Sequence, residues 1–308
     1  MSESAHVLSL FGGSAELELL PPIRQQKDLE LWPLRACWPQ SPSSPYVLLE
    51  EALREGWAQV DELRTPTVPR LSVSVQKPSL VFIPEGTLLT GGMQTRTVNI
   101  SLLLNKGEHV IPVSCVERGR WGFRRAFEVE REALTDIVLR RRKITSLRSN
   151  WYLRKTPLPD QSLIWHEVFR ALEEADRYSD TESYASVLSN AHPLHIPRTL
   201  VEEGIVGIIA TYRAKVLGMD VFAHSELWRG VHERLLRSYA LGLLRAENES
   251  GPELGTFCKA LTMARWEVLP ARVGVGQLQI PGPEREGGLV GFALWHEKRL
   301  VHLYAAPL

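Results

Sequence analysis

The spacing of hydrophobic residues changes twice along this chain, and those changes limit the folds it can adopt. Between residues 57 and 130, apolar residues alternate with polar ones in short runs separated by proline and glycine. That period of two is typical of β-strands. From residue 161 onward helical and strand-like spacing are mixed, and strand-like runs return before the C-terminus. Because strands and helices do not alternate regularly, the pattern predicts an α+β protein, with an antiparallel β-rich N-terminal part followed by a mixed helix and strand C-terminal part.

The second half of the chain contains the clearest individual elements. Apolar residues at helical spacing predict helices over residues 162–175, 225–245 and 253–264, and a further helix over residues 128–147. Strand-like runs predict pairs of strands over residues 204–212 and 215–222, and over residues 289–295 and 300–304.

The first 45 residues have a pattern of their own. Residues 6–10 and 16–20 flank the turn sequence Phe11-Gly12-Gly13-Ser14, which predicts a β-hairpin. The stretch WPQSPSSPY, residues 38–46, concentrates proline and serine and is typical of a linker. We therefore expect residues 1–45 to form a β-rich N-terminal extension and linker.

Composition excludes several classes of protein. The chain has 36 basic and 36 acidic residues, whereas proteins dedicated to nucleic acids are usually strongly basic. Cys37, Cys115 and Cys258 form no CxxC pair, which argues against a disulfide framework and a structural zinc site. The most apolar run, residues 204–212, is about half the length that a membrane span needs. These features predict a soluble cytoplasmic protein with no membrane partner and no metal site.

One segment departs from the overall charge balance. Residues 118–155 contain twelve basic and four acidic residues, including the run Arg140-Arg141-Arg142-Lys143. Such a surplus is consistent with a solvated helix end, or with a surface that pairs with acids elsewhere in the chain. It is also consistent with an anion site for phosphates or nucleic acid. The sequence leaves both interpretations open.

The common catalytic signatures are missing from the sequence. There is no GxxxxGK[ST] phosphate loop, no HExxH zinc motif, no GxSxG elbow and no protein-kinase motif. Cys115 lies in an apolar, strand-like stretch and is predicted to be a buried, inert thiol. His302 lies in an apolar closing strand and is predicted to be a core histidine rather than an acid or base.

Polar residues gather around two glycine-flanked turns in the β-rich part. Gly91 and Gly92 permit tight or left-handed backbone, and polar side chains follow them at the ends of apolar strands. Backbone access together with a few fixed donors is what a ligand pocket requires. The alternative is a structural network in which Arg96 or Arg120 pairs with Glu117 to fix the loops. The candidate ligand-binding residues are Gln94, Arg96, Asn99, Arg120 and Trp121.

These residues also carry a family resemblance. The run EGTLLTGGMQTRTVNISLLL and the following IPVSCVERGRW resemble the signature of a bacterial family of unknown function, the ARG- and rhodanese-phosphatase-associated domain. The resemblance extends over residues 46–308, which we expect to form one α+β domain, β-rich over 46–130 and mixed over 160–308. The family is named for genomic links to ADP-ribosylglycohydrolases. The resemblance therefore implies a place in NAD or ADP-ribose metabolism, without an established reaction or cofactor.

Three functional hypotheses follow. In the first, the protein binds or processes a nucleotide-derived ligand such as an ADP-ribose derivative. Arg96 and Arg120 would hold its pyrophosphate, Trp121 would stack, and Glu117 or Asp220 would be the catalytic or ribose-binding acid. In the second, the protein is a non-enzymatic interaction or regulatory module whose tryptophans anchor a protein partner. In the third and weakest, residues 118–155 contact nucleic acid.

Overall fold

A computed structural model describes residues 6–25, 28–190, 196–246, 251–269, 274–282 and 288–308. In these residues the strands are β1 His6–Leu10, β2 Ala15–Leu19, β3 Ile23–Arg24, β4 Leu29–Ala36, β5 Tyr46–Leu48, β6 Ala58–Asp61, β7 Arg70–Val75, β8 Leu80–Ile83, β9 Leu88–Thr90, β10 Arg96–Val98, β11 Leu102–Leu104, β12 Gly107–Cys115, β13 Glu128–Val129, β14 Ile205–Tyr212, β15 Lys215–Phe222, β16 Trp266–Leu269, β17 Gln277–Pro281, β18 Leu289–His296 and β19 Arg299–Pro307.

Five α-helices and three short 3-10 helices lie among these strands in the described residues. The α-helices are α1 Leu49–Arg54, α2 Ile137–Arg154, α3 Gln161–Glu174, α4 Ser225–Ala246 and α5 Leu254–Met263. Short 3-10 helices cover Phe11–Gly13, Tyr184–Asn190 and Arg198–Val201. Antiparallel sheets combined with segregated helices confirm the predicted α+β class.

The largest sheet in the described residues has ten strands, which come from both the N-terminal and the C-terminal parts of the chain. Its order is β1-β2-β4-β14-β15-β19-β18-β17-β16, with β3 also paired to β4. The sequence pattern predicts that residues 1–45 form an extension outside the 46–308 domain. In the structure β4 is hydrogen-bonded along β14, where Trp32 pairs with Ile209 and Leu31 with Ala210. The N-terminal strands therefore continue the sheet that the second half of the chain builds.

β14 explains why residues 204–212 form the most apolar run of the sequence. Every residue of this strand is buried. Ile208 and Ala210 pack into one hydrophobic core, whereas Val206 and Ile209 pack into another on the opposite face. A strand covered on both faces reads as a continuous apolar run. Among the described residues, no helix is both long and apolar enough to cross a bilayer.

Two smaller sheets complete the β structure. One has the order β13-β9-β10-β12-β7-β6, and the other has the order β11-β8-β5 with β5 parallel to β8. The β10–β12 register places Arg96 opposite Cys115. These pairings bring the sequence around Gly91 beside residues 115–126. The two sequence motifs that carry the family resemblance therefore lie next to each other in the fold.

The helix predicted over residues 128–147 begins later than expected. Residues Glu128–Val129 form the edge strand β13, and the helix starts after Asp136, whose side chain accepts hydrogen bonds from the amides of Val138 and Leu139. This N-cap satisfies two of the free amides of the first turn. The helix ends at Lys155, which has a left-handed φ of 56°. The helices predicted over 162–175, 225–245 and 253–264 are confirmed as α3, α4 and α5.

Close contact between β18 and β19 requires a glycine at position 291. A Cβ atom built there would lie 2.1 Å from the backbone oxygen of Tyr304, which cannot move without disturbing the sheet. We expect Gly291→Ala to lower the free energy of unfolding by at least about 2 kcal/mol, measured by urea denaturation. Gly255→Ala is the matched control, because a Cβ in that α5 position meets no atom within 4 Å. Equal stability of the two variants would contradict the packing argument.

Candidate functional site

Two oppositely charged pairs lie sealed inside the core. Arg140 of α2 donates from Nε to Glu85 Oε2 at 2.7 Å, and from Nη2 to Asp220 Oδ1 at 2.7 Å. Lys143 Nζ lies 2.6 Å from Glu85 Oε1 and donates to the Val98 carbonyl at 2.7 Å. All four charged side chains are fully buried. Two of the four residues in the basic run are therefore committed to ion pairs inside the protein, not exposed to nucleic acid.

Neutral side chains extend this network. The Ser101 hydroxyl lies 2.6 Å from His302 Nδ1, and His302 Nε2 lies 3.1 Å from Asp220 Oδ1. Ser101 also accepts from the Glu85 amide at 2.8 Å, and Tyr239 donates to Asp220 Oδ2 at 2.7 Å. The order serine, histidine, aspartate is that of a proton-relay triad. Because all three side chains are buried, the relay has no access to substrate, and His302 is confirmed as a core histidine.

The charges in this network stabilise one another. Burial alone would lower the pKa of Arg140, but the Asp220 and Glu85 carboxylates raise it well above its usual value. Burial would likewise raise the pKa of Asp220, but Arg140 and His302 hold it below the ordinary value. Burial lowers the pKa of His302. The aspartate is therefore ionised and the histidine neutral near pH 7.

Glu117 and Arg120 form a second, separate site. Arg120 donates from Nε to Glu117 Oε1 at 2.9 Å and from Nη2 to Glu117 Oε2 at 2.7 Å. Its remaining hydrogen bonds reach the carbonyls of Gly91, Gly92 and Gly122 at 2.7–3.0 Å. This is the arrangement that the structural alternative predicted, in which an arginine paired with Glu117 fixes the glycine turns.

The Glu117 carboxylate is fully engaged. It accepts from the amide and hydroxyl of Thr95 at 2.8 and 2.7 Å, and from the Thr181 hydroxyl at 2.9 Å. Burial would raise the pKa of Glu117, but the donors Arg120, Thr95 and Thr181 lower it to about 2. A carboxylate with this pKa is a weak base at neutral pH.

A polar cleft of about 670 Å³ opens beside the Glu117–Arg120 pair. The cleft has two walls: the Gly91 turn and residues 117–130 form one, and residues 178–186 form the other. Backbone hydrogen bonds from Gly119 to Thr181 and from Tyr184 to Val116 hold the segments together. The lining is Thr90, Gly91, Thr95, Glu117, Arg120, Arg124, Arg125, Glu130, Tyr178, Ser179, Asp180, Thr181, Ser183, Ala185 and Ser186.

The Gly91–Gly92 turn confirms the backbone expected from the sequence. Gly91 has a φ of 120° and Gly92 a φ of 49°, values that favour glycine. A Cβ at Gly91 would also lie 2.4 Å from the Ala126 carbonyl oxygen. Glycine therefore lets this turn approach residues 124–126 closely enough to form one wall of the cleft.

The other predicted site residues do not converge on the cleft. Gln94 is buried and donates to the Glu117 carbonyl, and Asn99 is buried and accepts from Ser114. Arg96 is buried beneath the half-exposed Trp121, with its guanidinium carbon 6.0 Å from that ring. Asp220 lies in the core network, not with Glu117. Cys115 is confirmed as a buried thiol, and burial raises its pKa.

Sequence reasoning missed several residues that the structure brings together. Glu85 and Ser101 lie at the ends of β8 and β11, and each reaches a partner far away in the chain. The second wall of the cleft, residues 178–186, contains none of the candidate site residues taken from the sequence. Its polar sequence YSDTESYAS, with three serines and a threonine, is the local signal that marks it as a possible binding segment.

The fold and these sites define an α+β protein with a sealed charge network in its core and a polar cleft fixed by a buried ion pair. The chain matches the ARG and Rhodanese-Phosphatase-superfamily-associated Protein domain, ARPP-1, over residues 16–306. This match spans nearly the whole chain, so the protein belongs to that family. The match confirms the resemblance and begins upstream of residue 46. Comparison with curated proteins and with solved structures gives no significant match.

Asp220→Asn tests the core network. Asparagine keeps the shape but removes the charge that balances Arg140, and leaves a buried guanidinium short of a partner. We expect the free energy of unfolding to fall by about 3–5 kcal/mol in urea denaturation. Asp28→Asn is the control, because its ion pair with Arg213 is long and largely exposed. A loss below about 1 kcal/mol for Asp220→Asn would contradict the assigned role of the network.

Glu117→Gln tests the ion pair beside the cleft. The pKa of Glu117 is depressed to about 2, so its stabilising contribution is present above pH 4.5 and is lost as the pH falls toward 2. At pH 7 we expect the free energy of unfolding of wild type to exceed that of the variant by on the order of 2–3 kcal/mol. The difference should shrink steadily below pH 4.5 in urea titrations. Glu128→Gln, which removes an exposed carboxylate nearby, is the matched control variant. A pH-independent difference for Glu117→Gln would count against this assignment.

Proposed function

We propose that the protein binds a phosphate-bearing, nucleotide-derived ligand of the ADP-ribose class in the polar cleft. The observation that carries the proposal is the cleft's lining, which combines exposed arginines, a series of hydroxyl groups and an exposed aromatic ring. The family name, which refers to ARG, supports the same ligand class. A cytoplasmic location, favoured by the sparse and unpaired cysteines, belongs to the same proposal.

Each part of such a ligand has a counterpart in the cleft. The guanidinium groups of Arg124 and Arg125 are exposed at its mouth, where they are able to donate to pyrophosphate oxygens. Tyr178, with 87% of its surface exposed, offers a ring for stacking a base. The hydroxyls of Ser179 and Ser183 suit the ribose oxygens. Arg120 does not take part directly, because its donors already engage Glu117 and the glycine carbonyls.

The geometry supports binding more strongly than catalysis. Glu117 is a weak base, since its pKa is about 2 and both carboxylate oxygens accept hydrogen bonds from the protein. Asp220 is sealed in the core and has no route to a ligand in the cleft. Neither acid suggested from the sequence is therefore well placed as a general base, and we assign no reaction.

Calorimetric titration with ADP-ribose tests this proposal. Replacing Arg124 and Arg125 together by alanine should weaken binding at least about tenfold, because two charge-assisted contacts are lost. Both side chains are exposed, so the fold should persist. Arg154→Ala, which removes one positive charge at the far end of α2, should bind like wild type. Absence of heat with wild type, or unchanged affinity in the double variant, would overturn the proposal.

A protein-interaction module is the second candidate function. Phe123 is 71% exposed and Tyr178 is 87% exposed. Exposed aromatic residues often anchor protein interfaces. Native mass spectrometry of the purified protein separates the candidates. A stoichiometric protein partner would favour the interaction module, whereas a co-purified nucleotide would favour the ligand-binding function.

A further inference from the structure

Arg96 is buried with most of its hydrogen-bonding capacity unused. Its side chain is fully buried on β10, and Nε donates to the Val68 carbonyl at 3.1 Å. Within the described part of the chain, neither Nη1 nor Nη2 has a hydrogen-bond acceptor. Burial without an acceptor penalises the charged guanidinium and lowers the pKa of Arg96. By contrast, Arg140 is equally buried but engages two carboxylates.

The groups around Arg96 leave its charge largely uncompensated. Cys115, its neighbour across β10 and β12, is a neutral thiol because burial raises its pKa. Arg120 and Glu117 neutralise each other. Glu62 is close enough to act on the charge of Arg96, but its Oε1 accepts from the Met93 amide at 2.8 Å. Its Oε2 is buried and has no partner among the described residues. Two donors and one acceptor thus remain unused.

An exposed aromatic ring lies next to this guanidinium. The Arg96 guanidinium carbon lies 6.0 Å from the centre of the Trp121 ring, and 52% of Trp121 is exposed. Neither residue lines the polar cleft, whose wall on this loop is formed by Arg120, Arg124 and Arg125. Trp121 is thus the exposed side chain that the structure places against this guanidinium.

We infer that Arg96 anchors a phosphate-binding site that Trp121 covers, separate from the polar cleft. Nη1 and Nη2 donate to two phosphate oxygens in the bidentate geometry typical of arginine. The free oxygen of Glu62 accepts a hydrogen bond from a protonated phosphate oxygen. Sulfate has no proton near neutral pH, so the same carboxylate repels it. The ligand is a phosphate group, either free or as a terminal monoester.

Thermal unfolding of the full chain tests this site. Inorganic phosphate and ribose 5-phosphate are each added at low millimolar concentration, with chloride used to keep the ionic strength constant. At least one of them should raise the Tm of wild type by a few degrees, while sulfate should have little effect. The compound with the larger shift identifies whether the site takes the free ion or a monoester.

Arg96→Met is the decisive variant because it removes the charge and preserves much of the volume. Its Tm without phosphate should equal or exceed that of wild type, since an uncompensated buried charge is destabilising. Its phosphate response should be lost, whereas Arg154→Met should respond like wild type. An equal response of Arg96→Met and wild type, or an equal effect of sulfate and phosphate, would overturn the inference.

Trp121→Phe provides a test if Arg96→Met does not fold. Phosphate should change the tryptophan fluorescence of wild type and of Trp38→Phe, but not of Trp121→Phe. A response in Trp121→Phe equal to that of wild type, or none in any of the three proteins, would also refute the site. The ADP-ribose titration is independent of this result, because ADP-ribose has no terminal phosphate monoester and Arg96 does not line the cleft.

Discussion

The contact between Arg140 and two buried carboxylates is the constraint around which the rest of the structure is arranged. Arg140 lies on α2, Glu85 follows β8, and Asp220 lies on the central strand β15 of the large sheet. Buried charges are tolerated only when their partners are in place, so the helix and both sheets must take up one relative position. His302 and Tyr239 add hydrogen bonds from β19 and α4 to the same Asp220 carboxylate.

The loops that form the cleft are likewise held in place by a buried ion pair, that of Arg120 with Glu117. Arg120 binds one carboxylate and three glycine carbonyls, which fixes the Gly91 turn relative to residues 117–122. Glu117 in turn reaches Thr181 on the opposite wall. Because these contacts satisfy Arg120 and Glu117, the groups left for a ligand are those at the mouth of the cleft, such as Arg124, Arg125 and Tyr178.

Sequence patterns predicted those elements whose buried residues are apolar. Helix α3 and the β14–β15 hairpin were predicted because their hydrophobic residues repeat at the expected spacing. The buried face of α2 carries Arg140 and Lys143, which a sequence pattern reads as solvent-exposed, so their role in the core was not predicted. Partners such as Ser101 and His302, which are 201 residues apart, leave no local signal at all. The glycine turn was predicted, but the opposite wall of the cleft was not, since only the tertiary fold brings it there.

The pairing of β4 with β14 also means that β4 is synthesised long before its partner strand. Trp32 on β4 donates to Thr211 on β14, 179 residues further along. At translation rates of roughly 5–20 residues per second, the N-terminal strands wait roughly 10–35 seconds for the strand that completes their sheet. During that interval the β4 edge has unpaired amides and carbonyls, the surface on which strand-mediated aggregation begins. The chain must therefore avoid aggregating through this edge while it is being synthesised, although the edge is fully paired in the folded protein.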